Sequence, residues 1–162
     1  MPRPLAPKGG NDKVYTPPEL ARKIVQHYQP RGRIMEPCRG EGAFTNAVLE
    51  TGQQCSWCEL DDGIDFLRVE GHWDWIVTNP PWSQFRPFLR RAMGTADNIV
   101  FLSLINAFFM RARVEDMRYY GFGIVEIAML ETPPKPWPQT GFQLGATYIK
   151  RGHTGATVIR AI

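Results

Sequence analysis

One tetrapeptide in the chain, Asn79-Pro80-Pro81-Trp82, has residue types suited to a defined chemical problem. An aryl amine is a poor nucleophile because its lone pair is delocalised into the ring. Two acceptors, the Asn79 side-chain oxygen and the Pro80 backbone carbonyl, would hold both N–H groups and steer the nitrogen toward tetrahedral geometry. The lone pair would then point at a methyl donor. Pro80 and Pro81 suit a turn that presents a carbonyl, because proline fixes φ and needs no N–H for sheet pairing. Trp82 offers a flat surface for the acceptor ring, and stacking of that kind is worth about 1–3 kcal/mol per base. The same four residues also describe an Asx-Pro turn leaving a strand with a tryptophan packed behind it.

A second group of residues suits a nucleoside. Glu36-Pro37-Cys38-Arg39-Gly40-Glu41-Gly42 is a glycine turn after an apolar run, where open α/β sheets bind ligands. It lacks the third glycine of the dinucleotide fingerprint, which favours a nucleoside over a pyrophosphate. Glu59, one strand further on, places a carboxylate where it can accept hydrogen bonds from both ribose hydroxyls, with Asp61 and Asp62 as competitors. Asp65-Phe66 sets a hydrogen-bonding side chain beside an aromatic plane, a pairing able to bind adenine, although Phe66 serves equally as core.

These residues need elements to position them. Thr16-Pro17-Pro18-Glu19 reads as a capping box opening a helix with Ala21, Ile24, Val25 and Tyr28 on one face, stopped by Pro30. Arg33 to Pro37, Cys55 to Leu60 and Trp73 to Thr78 read as strands, the last running into Asn79. Helices are predicted after Gly42, from Ser83, and over Val114 to Tyr120; strands over Asn98 to Leu104 and Gly123 to Leu130. Strands alternating with helices predict an α/β fold, a mostly parallel sheet covered on both faces. Thr132 to Gly141 is a Pro-rich loop, and Phe142 to Lys150 and Thr154 to Ile162 look like closing strands of antiparallel type.

A chain of 162 residues, 43% hydrophobic and 22% charged, fits one globular domain, expected over residues 14–162 behind a Pro- and Gly-rich arm at 1–13. No run approaches the roughly 20 apolar residues of a membrane span, so a soluble, cytoplasmic protein is expected. Three cysteines, Cys38, Cys55 and Cys58, fit a reducing compartment. The CxxC pair at Cys55 and Cys58 has no second pair, and the three histidines are scattered, so the cysteines read as packing residues and no metal site is predicted. A net charge of +3 permits an anionic partner without demanding one. Arg86, Arg90 and Arg91 follow the tetrapeptide and Arg111 and Arg113 a second apolar run, either as solvated helix faces or as a cationic surface.

Taken in order, Tyr15-Thr-Pro-Pro-Glu19, Met35-Glu-Pro-Cys-Arg-Gly-Glu-Gly42, Cys58-Glu59-Leu60, Asp65-Phe66 and Asn79-Pro-Pro-Trp82 resemble the motifs of class I S-adenosylmethionine-dependent amino-methyltransferases, in particular the DNA adenine-N6 branch. The resemblance implies a Rossmann-like fold with a seven-stranded type of sheet and S-adenosyl-L-methionine as cofactor. It implies that Tyr15, Thr16, Glu36, Pro37, Gly40 and Gly42 lie around the methionine part, that Glu59 and Leu60 meet the ribose, and that Asp65, Phe66 and Phe88 surround the cofactor's adenine. Asn79, Pro80, Pro81 and Trp82 would receive a base rotated out of its stack. Arg111, Arg113 and Lys135 would meet phosphates, with Trp137 or Phe142 stacking opposite Trp82. Phe108 and Phe109 read as core. Cys38-Arg39 departs from the small or aromatic residues often found in the family's glycine turn.

The resemblance leaves no region for a separate target-recognition domain, so sequence discrimination would fall to loops, self-association or a partner subunit. RNA adenine, cytosine N4 and a protein glutamine amide pose the same lone-pair problem, and a catalytically silent binding domain is the rival of another class.

Overall fold

Residue-by-residue alternation along the central strands decides the architecture. In a computed structural model, which describes residues 13–162, β3 (Trp73–Thr78) and β4 (Ala96–Leu104) each contain a continuous buried apolar stretch, residues 76–77 and 99–102. Their side chains divide between two cores. Ile76, Ile99 and Phe101 enter one, and Val77, Val100 and Leu102 the other. A strand apolar on both faces must be covered on both faces. Helices α1 (Pro18–Tyr28) and α2 (Ala43–Glu50) cover one side, and α3 (Phe85–Thr95) and α4 (Arg111–Tyr120) the other.

The remaining strands are β1 (Ile34–Glu36), β2 (Cys55–Trp57), β5 (Phe122–Leu130), β6 (Leu144–Arg151) and β7 (Val158–Ala161). Among the described residues they form one sheet of order β2-β1-β3-β4-β6-β5-β7. Only β6 runs against its neighbours; the other pairings are parallel. From β1 the chain goes first to β2 on one side, then returns to β3 on the other. The crevice beyond the carboxyl ends of β1 and β3 is therefore the topological switch point, where sheets of this kind bind ligands.

Two expectations are corrected. Thr16 does not cap α1: Pro17 is the N-cap, its carbonyl accepts from the Leu20 and Ala21 N–H groups, and no side-chain cap bond forms. Strand β7 runs opposite to β6 but does not pair with it. β6 fills the slot between β4 and β5, so β7 finds an open hydrogen-bonding edge on β5 and lies parallel to it. The arm expected at residues 1–13 lies, apart from Lys13, outside the described residues. No helix among the described residues is long and apolar enough to cross a membrane.

The carboxyl ends of β1 and β3 are joined by a buried acid. Glu36 is 1% exposed. Its Oε1 accepts from the Thr78 hydroxyl at 3.0 Å, and its Oε2 from the Thr45 backbone N–H at 3.0 Å and the Thr45 hydroxyl at 3.4 Å. One side chain thus ties two strand ends to the first turn of α2. Burial pushes the Glu36 carboxyl well above the usual carboxylate range, and the bonds from Thr78 and Thr45 oppose that shift.

Because the folded carboxyl keeps its proton to higher pH than the unfolded one, folding takes up a proton. This group's contribution to stability therefore falls as pH rises above about 4.3 and levels off once the folded carboxyl has ionised. Chemical denaturation of the wild type and Glu36→Gln should give a stability difference that moves in favour of Gln with rising pH; parallel curves would contradict the reading. Glu36→Ala, which leaves the Thr45 N–H unpaired and opens a cavity, should cost about 2–4 kcal/mol.

Candidate active site at the switch point

Asn79 follows the last residue of β3, so the carboxyl end of that strand delivers its side chain to the crevice. Its Nδ2 donates to the Val14 carbonyl at 3.2 Å and to the Thr16 hydroxyl at 3.3 Å. A carbonyl only accepts, so Val14 decides which end of the amide is nitrogen. The Oδ1 atom is left buried with no hydrogen-bond partner among the described residues. Leaving a buried acceptor unpaired costs about 1–3 kcal/mol, so this oxygen retains capacity for a donor from outside the protein, a water or a ligand. Pro81 closes the turn by accepting from the Gln84 N–H at 2.9 Å, and Pro80 is buried behind it.

The glycine turn lies across the crevice. Gly40 has φ +52°, and a β-carbon there would come within 3.1 Å of the Tyr15 ring, so both conformation and space demand glycine. Gly42, at φ +86°, is the N-cap of α2. Glu59 bends back to the same turn: its Oε2 accepts from the Gly40 N–H at 2.7 Å and its Oε1 from the Asp61 N–H at 3.3 Å. Each carboxylate oxygen can accept two bonds, so Glu59 keeps capacity for two hydroxyl donors. Asp61 instead pairs with Lys13 at 2.7 Å. Exposed Leu60 and half-exposed Tyr15 flank this acid and this turn. Beneath them, burial raises the Cys38 thiol far above its ordinary range, and Arg39 lies 4.5 Å above the Trp57 ring.

Other expected residues are placed differently. Glu36 and Pro37 are buried under the turn, so Glu36 shapes it from below instead of facing a ligand. Asp65 accepts from the Leu67 N–H at 3.0 Å as the cap of a short 3-10 turn. Phe66 is 1% and Phe88 8% exposed, packed on each other with ring centroids 5.7 Å apart. Apolar burial takes both rings into the core, the alternative the sequence left open for Phe66. Trp137 is also corrected: it is 4% exposed and meets half-buried Trp82 nearly edge-on, 6.2 Å between centroids. It props Trp82 from behind. Phe142 is exposed, and so is Lys135.

Phe108 is core, as expected, whereas Phe109 is 53% exposed. Arg111 reaches solvent and pairs with Glu115 at 2.8 Å. Arg113 is turned inward: it donates to the Ala107 carbonyl at 2.7 Å and lies 4.8 Å above the Phe85 ring, which corrects its expected place among phosphate contacts. The sequence reading missed Val14 as the group that orients Asn79, and Thr45 and Thr78 as the partners of Glu36. The signal for Thr78 was present, a hydroxyl on a buried strand immediately before the tetrapeptide.

The sequence matches no protein-family profile and no curated protein. Solved structures do resemble it. A candidate RNA methyltransferase from Pyrococcus horikoshii superposes with a TM-score of 0.65 at 14% identity, over 83% of this chain and 82% of that one. A candidate modification subunit of a type I restriction enzyme from Vibrio vulnificus gives 0.62 at 17% identity over 94% of this chain, which spans 48% of that subunit. Magnesium protoporphyrin IX methyltransferase from Synechocystis, solved with S-adenosylmethionine bound, gives 0.53 at 10% identity over 83% and 79%. The chain has the Rossmann-like class I methyltransferase fold. At these identities the likeness speaks for the fold.

If the Asn79 amide holds the Val14–Thr16 segment in place, Asn79→Ala should release it. Hydrogen exchange read by mass spectrometry should show faster exchange over residues 14–17, with β3 itself unchanged; equal protection in both proteins would disprove the tether.

Proposed function

We propose that the protein is an S-adenosylmethionine-dependent methyltransferase acting on an exocyclic amino nitrogen, with adenine N6 in DNA as the acceptor. The observation that carries this reading is the buried, unpartnered Oδ1 of Asn79 at the switch point, with the amide nitrogen committed to the protein. An amino group is a donor, and an acceptor fixed by its own nitrogen is what such a substrate needs.

The residues present fit the cofactor. The Tyr15 ring lies close against Gly40 and walls this turn, and Glu59, bonded to the Gly40 N–H, has acceptor capacity for ribose hydroxyls. Leu60 and Asp65 would complete the cofactor's contacts in this reading. When bound there, S-adenosylmethionine supplies a methyl group bonded to a cationic sulfur. Asn79 Oδ1 and the Pro80 carbonyl would each accept from one N–H of the acceptor, weakening its conjugation and directing its lone pair. Trp82, braced by Trp137, gives the acceptor ring a fixed surface, and exposed Phe142 would stack on the opposite face. Orientation of this kind accounts for much of the rate in such transfers. The methylated nitrogen is cationic and loses its proton readily, so the reading requires no strong base.

A likeness in fold to a candidate RNA methyltransferase and to a modification subunit of a candidate type I restriction enzyme is compatible with either nucleic acid. Trp82 favours a flat acceptor over a glutamine amide, and the motif order favours DNA adenine. Cytosine N4 poses the same chemistry.

Asn79→Ala should lower transfer from labelled cofactor by at least about a thousandfold, while affinity for S-adenosylhomocysteine, measured by calorimetry, falls less than about tenfold. Nucleoside digestion of treated DNA should yield N6-methyladenine. Retained turnover in Asn79→Ala, or label on RNA or protein alone, would refute the corresponding part of the proposal.

A further inference from the structure

We infer that a groove along α3 holds the phosphate backbone of the DNA strand flanking the target base, which makes a polynucleotide, and not a free nucleoside or a protein amide, the acceptor. The inference rests on the amino-methyltransferase reading above. The groove, of about 540 Å³, runs between α3, Leu67 of the 3-10 turn and Tyr120 at the end of α4. Arg86, Arg90 and Arg91 line it. Arg86 stands in the first turn of α3, directly after the Trp82–Gln84 turn that leaves the tetrapeptide. Arg90 stands one turn further, about 6 Å along the axis. The cationic stripe thus starts beside the catalytic loop and leads away from it.

The charge of this groove is not balanced from within. Asp116 bonds Arg86 through both oxygens, at 2.7 and 3.1 Å. That leaves Arg90 4.0 Å from the same carboxylate, half-exposed and beyond hydrogen-bond reach. Arg91 donates to the Val69 carbonyl, and its Nε is buried without a partner among the described residues. Arg113 is turned inward to the Ala107 carbonyl and does not line the groove. The neighbouring acid Glu115 is engaged by Arg111 at 2.8 Å. Three guanidinium groups line the groove and Arg86 already engages the Asp116 carboxylate; a polyanion neutralises such a surplus where a nucleoside or a glutamine side chain does not.

Arg90 is the variant to make, because Arg86 and Arg91 also tie elements together. A fluorescent single-stranded DNA of about 20 nucleotides, titrated by anisotropy at several potassium chloride concentrations, should bind Arg90→Gln at least fivefold more weakly. The slope of log affinity against log salt should be smaller by about 0.7–0.9. In methylation of the same strand, KM should rise with kcat unchanged, and the affinity for S-adenosylhomocysteine should not move. Equal affinity and equal slope in the two proteins would overturn the groove while leaving the methyl transfer in place. Arg90-dependent binding of the strand without any transfer would support the groove and count against the catalytic reading alone. Arg90-dependent binding of RNA of the same sequence, with none of DNA, would overturn the proposal as stated.

Discussion

The arrangement of the crevice depends on the buried carboxyl of Glu36. Strands β1 and β3 are hydrogen-bonded neighbours, but a parallel pairing of only two residue positions fixes their ends loosely. Glu36 fixes them with side-chain bonds, to Thr78 at the end of β3 and to Thr45 in the first turn of α2. The backbone that follows each residue forms the proposed site: Pro37 to Gly42 on one side, Asn79 to Trp82 on the other. A buried acid that is hydrogen-bonded on both oxygens is expensive to remove, since its partners are left unpaired in a dry interior. Position at the switch point is therefore held by the same bonds that hold the fold.

On that base, the polar groups around Asn79 divide unequally. Its nitrogen has two acceptors from the segment before α1, and its oxygen has no donor among the described residues. A side chain satisfied at one end and unsatisfied at the other is directional, and the cost of the unpaired oxygen is local and modest beside the packing of two cores. Sites of function are where such departures from full satisfaction are expected. Trp82 shows a related division: Trp137 packs edge-on against it, which fixes the ring without consuming it as core.

Much of this was legible in the sequence. Strand β3 was read at its observed bounds because Trp73 to Thr78 is a short apolar run ended by Asn-Pro-Pro, and the helical face Ala21, Ile24, Val25 is the buried face of α1. The glycine turn and the placement of Glu59 beside it followed from strand–turn–helix punctuation. What escaped was tertiary. A Thr-Pro-Pro-Glu segment reads locally as a capping box, yet the Thr16 hydroxyl is taken by Asn79, 63 residues away. The pairing of β7 with β5 depends on which hydrogen-bonding edge β6 leaves open, which no periodicity reports. Aromatic residues gave the least secure reading: Phe66, Phe88 and Trp137 are buried by packing, while Phe109, in a run that looks equally apolar, is exposed.

The central claim is that the free oxygen of Asn79 receives an N–H of the substrate. A crystal structure of the protein with S-adenosylhomocysteine and an adenine-containing DNA strand tests it most directly. The account predicts Asn79 Oδ1 within about 2.7–3.2 Å of adenine N6, with Nδ2 still on Val14 and Thr16. An Asn79 amide turned so that its oxygen is bonded within the protein, or an adenine seated away from it, would contradict the account.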